Sequence, residues 1–306
     1  MPFTSLPEIK DFLSELAAQQ GPLPEQFDRL RACYDKVNCL RADGILQKDE
    51  MDSLRGVIGK PFQTDQSLQG RIYLKPLGYA GDFKVIDRFY EGHISSDPDL
   101  KRWDSFVQAL DATHAVRNRK SYFVEKFKRR IARNKSVEFK VLNLACGSCR
   151  DVKEALEQIG AHDSGIEIHC VDFEPKAIAH SQSLLSEFRL QTTFRTENIL
   201  KFEPLDQFDL VWSAGLFDYF SDKLFVKTLQ RIRRWLKPEG EVIIGNFGPH
   251  NPSRGAMEFG DWFLKYRSPD QLMELATKAG FDDFEAAVER EELGINLFLN
   301  LRKQGE

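Results

Sequence analysis

From residue 139 onward the chain alternates short apolar runs with amphipathic stretches, and this alternation restricts the fold more than any other feature. Residues 139–145 read as a strand ending in a Gly-containing turn, and 151–159 as a helix. A second strand over 166–172 leads to a helix over 175–188, with Pro175 in the first turn, where a missing N–H costs nothing. Strands follow at 192–196 and 208–213. A helix over 222–236 is stopped by Lys237-Pro238-Glu239-Gly240, and a fifth strand occupies 241–247. A helix over 269–279, closed by Gly280, precedes two last strands near 284–289 and 295–301. Repeated βα units of this length dictate a doubly wound α/β sheet with helices on both faces. The last two strands are joined around Gly294 by a link too short for a parallel crossover, so they form an antiparallel hairpin.

Upstream the texture differs. Ile9, Phe12, Leu13, Leu16 and Ala17 stand at helical spacing, and Pro22 and Pro24 end that segment. Further helices are expected at 25–45, 83–90 and 98–131, with loops around Gly59-Lys60-Pro61 and over 75–82. No strand alternation stands out there. The 306 residues exceed what one α/β domain needs, so the chain divides into a helical N-terminal domain, 1–135, and a sheet domain, 136–306.

Lys plus Arg total 43 and Asp plus Glu 47, a formal charge of −4, which argues against a nucleic-acid partner. The run 126–135 carries six cations; it reads as a solvated helix face, with phosphate tracking as the alternative. No apolar run approaches the ~20 residues of a membrane span. The first residues, Met1 to Pro7, lack the basic-then-apolar pattern of a secretion signal. Five cysteines, an odd and low count, exclude a disulfide scaffold and point to a reducing, cytoplasmic compartment.

The turn Ala145-Cys146-Gly147-Ser148-Cys149 lies at the carboxyl end of the first strand, where a glycine lets a ligand approach the backbone. Asp172 ends the second strand, where a carboxylate can accept from both hydroxyls of a ribose. Asn198, after the third strand, can bond an adenine edge, and Ile199 can pack on the ring. Each element alone is commonplace; in this order and spacing they indicate nucleoside binding. A nicotinamide dinucleotide enzyme would want Gly-x-Gly-x-x-Gly, but no second glycine follows Gly147 until Gly160. Cys146-x-x-Cys149 lacks a second pair and reads as small-residue packing, and no acid and His cluster has metal-ligand spacing, so no metal is expected.

Val141-Leu142-Asn143-Leu144-Ala145-Cys146-Gly147 resembles the first motif of class I S-adenosylmethionine-dependent methyltransferases. Cys170 to Pro175, Phe208 to Ser213 and Leu236 to Val242 are similar to that family's later motifs, and the resemblance covers about 139–302. It implies a Rossmann-like sheet of order 3-2-1-4-5-7-6 with strand 7 antiparallel, and S-adenosylmethionine as cofactor. The cofactor-binding residues it implies are Ala145, Gly147, Asp172, Phe173, Asn198, Ile199, Ser213, Ala214 and Arg119. Asn143, Ala145 and Cys149 stand where the family usually has an acid and two glycines, so the methionine ammonium is expected on backbone carbonyls instead.

Gly78-Tyr79-Ala80-Gly81-Asp82 and Arg117-Asn118-Arg119, with Asn251 to Arg254 and Trp262 to Arg267, resemble a narrower bacterial group. Those are the methyltransferases similar to 3-hydroxy fatty acid methyl ester synthases. The likeness implies a small-molecule acceptor, with O-methylation of an organic acid such as a fatty-acid-like carboxylate. The helical N-terminal domain is then expected to cap the site and exclude water, with Arg117 or Arg119 pairing to a carboxylate, either that of the cofactor's methionine or that of the acceptor. Tyr79, Asp218, Tyr219 and Tyr266 are the expected catalytic side chains, and His114 and His250 are further bases. Phe217, Tyr219, Phe220, Phe247, Phe259, Trp262 and Phe263 are aromatic residues from which an acceptor pocket could be drawn. Open alternatives are N-methylation of a small amine, RNA methylation, and a non-catalytic S-adenosylmethionine sensor. Ser213-Ala214-Gly215-Leu216 stands where base-amino enzymes carry an Asn/Asp-Pro-Pro-Tyr motif, which weighs against nucleic acid.

Overall fold

The computed structural model describes residues 3–133, 138–160, 165–189 and 191–304. The chain forms two compact units, Met1–His114 with Asn251–Phe263, and Ala115–His250 with Leu264–Glu306. The expected boundary at 135–136 lies outside the described residues.

The first unit is helical: α1 (Leu6–Ala18), α2 (Phe27–Ala42), α3 (Lys48–Ile58), α4 (Lys60–Gln63), α5 (Leu68–Leu74), α6 (Phe83–Tyr90) and α7 (Pro98–Gln108). Ser5 caps α1, whose Ile9, Phe12, Leu13 and Leu16 are buried, the stripe read from the sequence. The segment expected as one helix over 25–45 stops at Ala42, and Ile45 is exposed. The segment around Gly59 holds α3 and α4 in place of a loop, because Met51, Leu54 and Ile58 form a further buried stripe. Asp82 is fully buried: it caps α6 through the Lys84 and Val85 amides at 2.9 Å and pairs with Arg71 at 2.8 Å. Its place in the Gly-Tyr-x-Gly-Asp stretch is thus explained by folding.

α8 (Asp111–Arg133) begins after a break at Ala109 and Leu110, which divides the helix expected over 98–131. Phe123, Val124 and Phe127 belong to the core on one sheet face, so most of α8 belongs to the second unit. Two cations of the basic run pair within the chain, Lys126 with Glu289 at 2.6 Å and Arg130 with Glu241 at 3.4 Å.

In the second unit β1 (Phe139–Leu144), α9 (Arg150–Ile159), β2 (Ile166–Asp172), α10 (Pro175–Leu184), β3 (Thr192–Thr196), β4 (Phe208–Ser213), α11 (Asp222–Arg234) and β5 (Leu236–Phe247) alternate as expected. α12 (Arg254–Phe259), which joins the first unit, was not expected. α13 (Pro269–Lys278), β6 (Phe284–Arg290) and β7 (Asn296–Lys303) complete the chain. The seven strands stand in the order β3-β2-β1-β4-β5-β7-β6, and β7 runs antiparallel to both β5 and β6. The Rossmann-like α/β expectation is met in order and sense. Lys237 to Gly240 is an irregular excursion inside β5, not a turn before it: Leu236 already pairs with Phe208, and the register shifts before Leu210 meets Glu241. Leu142 and Leu144 enter one core, Phe139 and Val141 the other, the period-2 alternation of a sheet covered on both faces.

Candidate active site

The carboxyl ends of β1, β2 and β4 meet at one edge of the sheet, where open α/β sheets bind ligands. The turn after β1 is built from three left-handed residues, Ala145 (φ 52), Gly147 (φ 57) and Cys149 (φ 53). Only Gly147 takes that conformation freely; a Cβ there costs about 1–2 kcal/mol. The turn brings the Gly147 amide to Asp172 Oδ2 at 3.0 Å, while Asp172 Oδ1 accepts from Glu174 N at 3.0 Å. Asp172 is 4% exposed, and burial pushes its carboxyl above the ordinary range against the pull of those two amides. Phe173 beside it is 51% exposed.

The other sequence-derived residues fall into two groups. Ser213 is buried, and its Oγ donates to the Leu144 carbonyl at 3.1 Å, tying β4 to β1. Ile199 is 5% exposed and belongs to the sheet core, and Asn198 Oδ1 accepts from Leu200 N at 2.9 Å. Ala145 and Ala214 are half-buried at the ends of β1 and β4. Gly245 on β5 is required here, because a Cβ on it would stand 2.4 Å from the Ala214 carbonyl oxygen. Asn143 is 2% exposed within β1, with no hydrogen-bond partner for its amide nitrogen among the described residues.

Arg119 reaches this edge from α8. It is 6% exposed, and Nη1 donates to the Ala214 carbonyl at 3.3 Å. Asp218 lies in the short helical turn Phe217–Tyr219 after β4, 2% exposed, with Oδ1 accepting from Phe247 N at 2.6 Å. Burial pushes its carboxyl up to about 7, opposed by that amide and by the Arg119 and Arg267 charges. A carboxyl poised there can exchange a proton near neutrality. Tyr219 is 39% exposed, and Tyr266 is half-buried. Tyr79 belongs to the first unit, half-buried between α5 and α6. His114 and His250 are exposed.

Arg267 has a role the sequence reading missed. It is 3% exposed and donates to the Phe217 and Phe220 carbonyls, to Asn246 Oδ1 at 2.8 Å and to Asp222 Oδ1 at 2.9 Å. It thereby fixes the turn that carries Asp218. The only sequence signal was its place in the Trp262 to Arg267 stretch. Of the aromatic pocket set, Phe217, Phe220 and Phe247 lie buried in the sheet unit, and Phe259 stacks on Tyr34 in the first unit. Trp262 is buried, leaving Phe263, at 43%, exposed with Tyr219.

Residues 141–240 match the family model described as a methyltransferase domain. No curated protein matches. Among solved structures, a "possible exported protein" from Bordetella parapertussis is 17% identical, with a TM-score of 0.65 over 99% of this chain and 98% of that one. Magnesium protoporphyrin IX methyltransferase from Synechocystis PCC 6803, with bound SAH, is 12% identical, with a TM-score of 0.54 over 79% of this chain and 100% of that one. The S-adenosylmethionine-dependent methyltransferase SibL, in its apo form, is 14% identical, with a TM-score of 0.51 over 88% and 77%. At these identities the likeness shows the fold alone. Among the described residues, no helix is long and apolar enough to cross a membrane.

Proposed function

We propose that the chain is an S-adenosylmethionine-dependent methyltransferase that methylates a carboxyl oxygen of a small organic acid. The match of 141–240 to a methyltransferase domain supports the reaction class. The residues at the sheet edge fit the cofactor. A carboxylate has about four acceptor positions; on Asp172 two are taken by Gly147 and Glu174, which leaves two for a ribose diol. The exposed Phe173 ring offers a face for adenine, and the left-handed turn admits a ligand close to the backbone. The cofactor, when bound, supplies an electrophilic methyl on a sulfonium.

The observation that carries the choice of acceptor is Arg119, a buried guanidinium bonded to the Ala214 carbonyl. It can orient a carboxylate bidentately, and a carboxylate acceptor is ionised at neutral pH and needs no base. The five free cysteines support a reducing, cytoplasmic location. A second reading, methylation of a hydroxyl or amine with Asp218 as general base, is favoured by the carboxyl poised near 7.

The test is methyl transfer from labelled cofactor to parallel sets of small carboxylic acids, alcohols and amines. Transfer to acids, giving base-labile esters, is expected. Transfer confined to amines or alcohols would overturn the acid assignment and favour the Asp218 reading.

A further inference from the structure

The sulfurs of Cys146, Cys149 and Cys170 lie within 4.8 Å of one another. The three residues are 8%, 1% and 1% exposed, and all are free thiols. Sequence spacing shows only the Cys146-x-x-Cys149 pair. Parallel pairing of β1 with β2 brings in the third, since Cys170 is the register partner of Asn143.

Small apolar packing would explain three buried thiols, but two features at this place are not explained by packing. Cys149 keeps a left-handed backbone, φ 53, directly before α9, and makes no side-chain cap to that helix. A glycine would be free of the resulting strain, and cysteine is retained there at a cost of about 1–2 kcal/mol. Asn143 leaves the sheet on the same face as its register partner Cys170, and its buried amide nitrogen has no acceptor among the described residues. An orphaned donor on the sheet face that carries Cys170 can bond a metal-bound thiolate, as amide donors commonly do.

We propose that Cys146, Cys149 and Cys170 bind one thiophilic closed-shell metal ion, Cu(I) in preference to Zn(II), as three thiolates beneath the 145–149 turn. Sulfurs placed ~2.3 Å from a central ion in one plane are ~4.0 Å apart, inside the 4.8 Å limit of the cluster. The group contains no fourth thiol, imidazole or carboxylate among the described residues, and a three-sulfur site suits Cu(I) better than tetrahedral Zn(II). Binding exchanges three thiol protons, released to solvent, for three metal–sulfur bonds. The sequence shows neither acid and His spacing nor a second Cys-x-x-Cys pair, and by itself indicates no metal. The cluster is invisible in the spacing because β2 supplies its third member across the sheet.

The test uses the full chain, reduced and kept anaerobic, titrated with Cu(I) against a chromophoric Cu(I) chelator, and with Zn(II) in parallel. One equivalent of Cu(I) should bind, with a sulfur-to-copper charge-transfer band. Peptide mapping should show copper shielding Cys146, Cys149 and Cys170 from alkylation, while the exposed Cys39 reacts with or without metal. Cys149→Gly relieves the left-handed strain and so keeps the fold; its thermal stability should match or exceed that of the parent, while copper affinity falls more than ~100-fold. Cys39→Ser should leave binding unchanged. No charge-transfer band, full binding by Cys149→Gly, tighter Zn(II) than Cu(I) uptake, or a Cys146–Cys149 disulfide formed in place of metal uptake would each overturn the proposal.

Discussion

The Gly147 amide donates to Asp172 Oδ2 at 3.0 Å, so the residue that lets the β1 turn bend is held by the residue that ends β2. The carboxylate therefore has two tasks, positioning the turn and offering acceptors at the sheet edge. Asp172→Asn keeps one acceptor and turns an NH2 group toward one of the two amides it now receives. Denaturant unfolding should show a loss of about 1–3 kcal/mol, and cofactor affinity measured by calorimetry should fall more than ~10-fold. Unchanged values for both would place the ribose site elsewhere.

Asp218 predicts a pH dependence with a definite sign. Its carboxyl ordinarily titrates near 3.8 and is raised to about 7 in the fold. Between those values the folded chain holds a proton that the unfolded chain has lost, so this group's contribution is full below about pH 4 and is lost as pH rises toward 7. The full swing is on the order of 4 kcal/mol. Asp218→Asn retains an acceptor for Phe247 N and removes the titration. Urea unfolding at about pH 5 and about pH 8 should show a smaller difference for the variant than for the parent. If Asp218 is also a general base, the variant should lose roughly 10²–10⁴-fold in turnover while still binding cofactor; near-normal turnover would support the carboxylate acceptor.

Arg119→Lys keeps a cation but loses the planar fork. With an acid acceptor, KM should rise about 10- to 100-fold with kcat much less affected, the signature of lost uniform binding. Steady-state kinetics on the best acid substrate checks this, and an unchanged KM would remove Arg119 from the acceptor site.

Gly245→Ala tests the close approach of β5 to the end of β4. The added Cβ would sit 2.4 Å from the Ala214 carbonyl oxygen, which is backbone and cannot swing aside. Unfolding should show a loss of about 1–3 kcal/mol, and Arg119, bonded to that same carbonyl, should shift with it. A variant as stable as the parent would contradict the packing described for this edge.

How far these features could be read from the sequence depends on how local their causes are. The alternating strands and helices were legible because each strand is a short apolar run and breaks such as Pro175 at α10 mark the boundaries, whereas the order of the strands came from the resemblance to the methyltransferase family. Asp172 and Gly147 could be nominated together from their order and spacing at two strand ends, and the fold joins them by a hydrogen bond. Helices α3 to α5 were not legible, since Gly59 and Pro61 look like loop punctuation unless the Met51, Leu54 and Ile58 stripe is weighed. Asn198 and Ile199 were nominated by their order in the chain alone; what the sequence did not show is that Ile199 packs into the sheet core and that Asn198 Oδ1 accepts from Leu200 N. Arg267 and Cys170 act through partners at least twenty residues away in sequence, such as Asn246 and Cys146, and only the folded sheet brings them there.

Isothermal titration of the full chain with S-adenosylmethionine, compared with Asp172→Ala, tests the central claim most directly. Binding at one site per chain, weakened more than ~10-fold by the substitution, is the predicted result. No binding to the parent, binding of NADH instead, or equal affinity for both proteins would contradict it.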